Sequence, residues 1–126
     1  MIAHIVLFRP KADLNLDARR EFAEIFQRTC REVSSVRRAR IGRALASDMG
    51  YVGAFDARYT FSAVIEFDDQ AGLLEYLVHP AHQTLGKLFW ETCEATAILD
   101  VEMADAVNDS LAPFLADPLP VSKKKS

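Results

Sequence analysis

A chain of 126 residues, 50% apolar and 26% charged with a net charge of −3, has the size of one domain and enough apolar side chains to bury a core. No apolar run approaches the roughly twenty residues of a membrane-spanning helix, and the longest, Ile5-Val6-Leu7-Phe8, is too short for the core of a signal peptide. Two cysteines, Cys30 and Cys93, both inside helical patterns, do not make a secreted disulfide scaffold, so the expectation is a cytoplasmic single-domain protein with no membrane association.

Charge is uneven along the chain. Residues 1–45 carry +5 and residues 46–120 carry −11, while Lys123, Lys124 and Lys125 add +3 at the tip. With a negative total and no aromatic side chains interleaved with the arginines, no nucleic-acid partner is expected. Arg37, Arg38, Arg40 and Arg43 read as a solvated edge strand.

Ala3 to Phe8 is predicted as a buried strand, stopped by Arg9-Pro10. Asn15 or Asp17 caps a helix running to about Ser35, with Phe22, Ile25, Phe26, Thr29 and Val33 on one face. Arg38 to Leu45 follows as a second strand. Residues 46–58 read as a loop, and thirteen residues is long for a connection in a compact domain. Tyr59 to Phe67 is the clearest strand, with Phe61, Ala63, Ile65 and Phe67 on one face. Asp68 and Asp69 cap a short helix that carries Leu73, Leu74 and Leu77 inward. His79-Pro80 breaks it, and a further helix runs from Pro80 to about Cys93, burying Leu85, Leu88 and Phe89. Ala95 to Met103 closes the pattern, and residues 104–126 form an extended C-terminal tail.

The order is β-α-β-β-α-β, the split-βαβ or ferredoxin-like α+β pattern. A four-stranded sheet with helices on one side should be polar on the other. Here the first, third and fourth strands are apolar on both faces, so a second layer must cover the sheet. A second copy of the same sheet supplies it, which predicts a homodimer.

The densest chemical constellation is Glu75-Tyr76-Leu77-Val78-His79-Pro80-Ala81-His82. Pro80 suits the first helical position, where its missing N–H leaves nothing unpaired. His79 is then the N-cap and His82 falls in the first turn, where the positive end of the helix dipole disfavours an imidazolium. A neutral imidazole is what a general base requires, and Tyr76 could donate a hydrogen bond to a developing oxyanion. The same residues also admit a purely structural role, the histidines as helix caps and Tyr76 as a plug between helix and sheet. Metal binding by His79 and His82, with Glu75 and His4, lacks the spacing of known ligand motifs, and no metal is expected. No phosphate-cradling glycine loop, CxxC pair or nucleophile elbow is present. Cys30 and Cys93 read as small buried side chains.

These residues resemble a known family. His4-Ile5-Val6-Leu7-Phe8, Gly42, Phe67, Tyr76-Leu77-x-His79-Pro80-x-His82 and Leu99-Asp100-Val101-Glu102 are similar to the stress-responsive dimeric α/β-barrel (Dabb) domain over residues 1–103. The resemblance implies a ferredoxin-like protomer and a dimer whose two sheets form an α/β barrel. One plant branch of the family, similar to olivetolic acid cyclase, closes a linear polyketide by an aldol-type step without cofactor. Carried over, this implies His82 as base, Tyr76 as its partner and His4 facing the cavity. A further cavity histidine of that branch corresponds to Phe61, whose ring cannot hydrogen-bond a polar substrate. Three functions follow as expectations. The first is a cofactor-independent acid/base enzyme on a small apolar carbonyl compound, with His82 and Tyr76 catalytic and with His4, Phe8, Phe61 and His79 around the ligand. The second is a non-catalytic stress-related dimer or hydrophobic-ligand binder. The third is a cofactor-free monooxygenase of the same architecture, on fold analogy.

Overall fold

Alternating apolar side chains make Ile2–Pro10 the first strand, β1, and it is the centre of the molecule. Its partners are β3 (Phe61–Phe67) on one side and β4 (Cys93–Glu102) on the other, while β2 (Arg38–Arg43) lies outside β3. All three pairings are antiparallel and give the order β2-β3-β1-β4. The helices are α1 (Leu16–Glu32), α2 (Gln70–Val78), α3 (Pro80–Thr92) and α4 (Leu111–Ala116). This computed structural model describes residues 1–45 and 59–116. The loop expected at 46–58 and the lysine tip lie outside the described residues.

Local chemistry sets the helix boundaries. The Asn15 side chain accepts from the Ala18 N–H at 2.8 Å and starts α1. The Asp69 side chain accepts from Gly72 N–H at 2.9 Å and starts α2. Ser35, just beyond α1, donates its hydroxyl to the Gly72 carbonyl at 2.8 Å and accepts nothing from Glu75, whose carboxylate instead takes the Ser35 backbone N–H at 3.1 Å. These two bonds fasten α2 to the end of α1.

Strand register sorts the side chains into two faces. Toward the helices point Ile2, His4, Val6 and Phe8 of β1, opposite Phe67, Ile65, Ala63 and Phe61 of β3. Most of them form the core, with Val33, Tyr76 and Phe89 from the helices. The other face carries Ile5 and Leu7, opposite Val64 and Ser62 on β3 and Leu99 and Ala97 on β4. Leu99 is 61% exposed there, so the strands are apolar on both sides as the alternation predicts.

Three features differ from the sequence reading. Cys93 opens β4 instead of ending α3, and its N–H closes the helix by donating to the Phe89 carbonyl. Leu74 is 60% exposed, because Leu73 and Leu77 share the core-facing side and the next helical position is rotated about 100° away from it. The stretch after β4 is not wholly extended. Asp105 accepts the N–H groups of Val107 and Asn108 at 2.9 and 3.2 Å in a local turn, and α4 follows.

Because the Asp69 cap satisfies one of the free N–H groups of α2, Asp69→Ala is expected to lower stability by about 1 kcal/mol. Urea denaturation should show a lower midpoint with an unchanged slope, whereas an unmoved midpoint would show that the cap contributes nothing.

Candidate active site

The site is built around a break between two helices. Proline has no N–H and disfavours helical conformation in the residue before it, so α2 stops at Val78 and α3 starts at Pro80. His79, at φ −66° and ψ 138°, serves both ends. Its N–H donates to the Tyr76 carbonyl at 3.3 Å, its Nδ1 accepts from the Ala81 N–H at 3.0 Å, and its carbonyl accepts from Gln83 N–H at 3.1 Å. The break folds the chain so that Tyr76, in the last turn of α2, meets His82, in the first turn of α3, with ring centroids 4.6 Å apart.

Under this pair lies β1. The His4 ring stands 5.8 Å from Tyr76 in an edge-on arrangement. His4 is 5% exposed, and its Nδ1 is 2.5 Å from Oδ1 of Asp100, directly opposite on β4. With Nδ1 committed to the carboxylate, the other ring nitrogen, Nε2, remains for the cavity. Asp100 is the residue that sequence reasoning missed. Its partner lies 96 positions away, and only the antiparallel register brings the two together.

His4, Tyr76 and His82 line a cavity of about 90 Å³ between the sheet and the helices. The walls are otherwise apolar. β1 and α3 run from the polar trio toward Phe8 and Phe89, whose rings pack at 5.4 Å, and Phe22 and Phe26 of α1 complete that end. The lining side chains most open to solvent are Trp90 on α3, Ile41 on β2 and Ile98 on β4, at 61%, 54% and 48%.

Burial fixes the protonation states. Desolvation lowers the pKa of His82, the nearby His4 lowers it further, and a hydrogen bond to the Leu77 backbone partly opposes both. Desolvation pushes the Tyr76 phenol far above its ordinary value, with Cys30 nearby adding to the effect. At neutral pH the site therefore holds a neutral imidazole able to accept a proton and a phenol able only to donate a hydrogen bond. Cys30, pushed up to about 11 by burial, is a protonated thiol.

Two residues expected around the ligand stand elsewhere. The His79 imidazole is occupied as a helix cap and is not part of the cavity wall. Phe61 stacks on Phe8 with centroids 5.6 Å apart and lines a neighbouring depression of about 260 Å³ instead. Phe8 does reach the cavity. Among the described residues no group of three or more His, Cys, Asp or Glu side chains is arranged to hold a metal ion, and no helix is long and apolar enough to cross a membrane.

A ferredoxin-like α+β protomer with a small, mostly apolar cavity between sheet and helices is the class that fold and site define. The chain belongs to the stress responsive A/B barrel domain (Dabb) family, whose sequence profile matches residues 2–103. Its fold is similar to that of the protein At3g17210 from Arabidopsis thaliana, with 16% identity, a TM-score of 0.69 and coverage of 84% of this chain and 98% of that one. A hydroxynitrile lyase from Passiflora edulis is similar at 19% identity and a TM-score of 0.69, over 83% of this chain and 94% of that one. A dimeric ferredoxin-like protein of unknown function from Jannaschia sp. CCS1 reaches 24% identity and a TM-score of 0.67, over 81% and 98%. No curated protein sequence matches the chain significantly.

The lowered pKa of His82 has a consequence for stability. The unfolded imidazole titrates near its ordinary value of 6.5 and the folded one below it, so the unfolded state binds more protons on acidification. The contribution of the neutral buried ring is complete above that value and is lost as pH falls from it through the folded pKa. Ring-proton NMR should place the His82 midpoint below 6.5, and His82→Gln should flatten the loss of stability in that window. A midpoint at or above the ordinary value would contradict the burial argument.

Proposed function

We propose that this protein is a homodimeric, cofactor-independent acid/base enzyme acting on a small, mostly apolar carbonyl compound. The observation that carries this reading is the convergence of His82, Tyr76 and His4 on one apolar cavity, with His82 held neutral by burial. His82 takes a proton from the carbon next to the carbonyl. The C–H electron pair becomes the C=C bond of an enolate, and the oxygen is stabilised by the Tyr76 hydroxyl. His4, whose Nδ1 is held by Asp100, forms the wall of the cavity beside the reacting group. Return of the imidazolium proton to the same carbon gives hydrogen exchange, and its delivery to another carbon of a conjugated enolate gives an isomerisation; in an aldol-type step the enolate carbon instead bonds to a second carbonyl carbon, the C=O pair moves to that oxygen, and the resulting alkoxide takes the imidazolium proton.

The cavity volume supports a short substrate. Pockets for drug-sized ligands run from about 300 Å³ upward, several times the roughly 90 Å³ found here. A polyketide with a long acyl chain is therefore a poor match. The hydroxynitrile lyase of the same fold supports the idea that this architecture accommodates chemistry on small molecules. Expected exchange of α-hydrogens of 2-butanone for deuterium in heavy water, followed by NMR, tests the step directly. His82→Gln should slow it about 10²- to 10⁴-fold and Tyr76→Phe about 10²-fold. Exchange at the wild-type rate in His82→Gln would remove His82 as the base and leave the cavity as a binding site alone.

The dimer rests on the open sheet face. Ile5, Leu7, Val64 and Leu99 lie together on it, and similar proteins from Jannaschia, Thermobifida fusca and Bacteroides fragilis are described as dimeric. Light scattering after size exclusion should give twice the chain mass for the wild type and a monomer for Leu99→Asp. A Leu99→Asp dimer as tight as the wild type would place the interface elsewhere.

A further inference from the structure

Three glycines fall within the described elements, and two of them have packing reasons. A Cβ at Gly42 would stand 2.9 Å from the Ser62 hydroxyl, and one at Gly72 would stand 3.3 Å from the Phe67 Cβ. Gly86 is different. A Cβ there would meet nothing within 4 Å, and no positive φ requires glycine. The residue nevertheless sits in the middle of α3, where glycine is less stable than alanine by about 0.5–1 kcal/mol.

Its place on the helix says what the missing side chain leaves open. His82, Leu85, Gly86 and Phe89 are spaced three and four apart and share one face, and all four line the cavity. Trp90, one turn beyond Gly86, is 61% exposed and belongs to the rim. The empty space at Gly86 is thus continuous with the cavity, between the base and the rim.

We propose that Gly86 is the specificity-determining residue of this cavity, its missing side chain leaving the room that a short aliphatic ketone or aldehyde needs, while the small volume around it disfavours longer ones. The inference rests on the acid/base reading for the carbonyl group but on geometry alone for size. An apolar cavity of about 150 Å³ accommodates benzene, so about 90 Å³ corresponds to about three to five heavy atoms by proportion. A leucine side chain at position 86 would itself occupy most of that space.

The test uses two probes on the full chain. Xenon, followed by its NMR shift, reports the void without regard to chemistry; 2-butanone and 2-heptanone, followed by saturation-transfer NMR, report ligand size. The wild type should shift xenon and bind 2-butanone at least about tenfold more tightly than 2-heptanone. Gly86→Leu should abolish the xenon shift and weaken 2-butanone by about tenfold or more. Gly86→Ala should melt above the wild type and weaken 2-butanone to a smaller degree, which separates lost room from lost folding. The proposal is overturned if Gly86→Leu keeps the wild-type xenon shift, or if the wild type binds 2-heptanone as tightly as 2-butanone. His82→Gln distinguishes the two readings. If it retains deuterium exchange while Gly86→Leu loses xenon, the base assignment fails and the role of Gly86 stands.

Discussion

The missing N–H of Pro80 is the constraint on which the site depends. Without it, α2 and α3 could run on as one helix, and Tyr76 and His82, six residues apart, would point in different directions. Six residues turn a helix by about 600°, which leaves the two positions roughly 120° from eclipsed. The break brings their rings to 4.6 Å instead. His79 makes the break inexpensive, since one residue closes the first helix through its N–H and opens the second through its imidazole. A histidine that reads as a ligand contact in the sequence is therefore part of the scaffold, and the histidine that lines the cavity is the one three positions later.

Protonation follows from where the break lies. It sits over β1, so His82 and Tyr76 are pressed against a strand whose side chains are otherwise apolar. Burial raises one pKa and lowers the other, and both shifts favour the neutral form. A solvated pair would compete with water for its proton partners. Asp100, which bonds to His4, keeps its side chain 43% exposed while it holds the buried ring. The carboxylate stays solvated on one side and orients the imidazole from the other, so the ion is not carried into the apolar interior.

Much of this was legible in the chain. The alternation in β1 and β3, the Asn15 and Asp69 caps and the His-Pro-x-His break are local signals, and each element from β1 to β4 lies within a few residues of its predicted limits, whereas α4 falls in a stretch expected to be extended. What was not legible depended on partners distant in sequence. In the sequence Asp100 stands out only as part of the closing Leu99-Asp100-Val101-Glu102 segment, and the strand register alone pairs it with His4. Phe61 shares a face with Ala63 and Ile65, as alternation requires, yet its position at the strand end sets it against Phe8 and the neighbouring depression. Leu74 reads as core because it lies between two core leucines, and only the helical rotation turns it outward.

The two faces of β1 and β4 link the site to the proposed interface. His4 points to the cavity and Ile5 to the open face, while Asp100 lies between Leu99 and Val101, both of which point away from it. Any layer that covers Ile5, Leu7 and Leu99 holds the backbone that sets the His4–Asp100 register. β4 is an edge strand, and edge strands without a second layer are the part of a sheet most free to shift. A displacement of one residue would turn Asp100 to the opposite face and leave the buried His4 without its partner. Covering the open face therefore does more than remove apolar surface from water. It steadies the strand pairing that sets the geometry of the cavity wall.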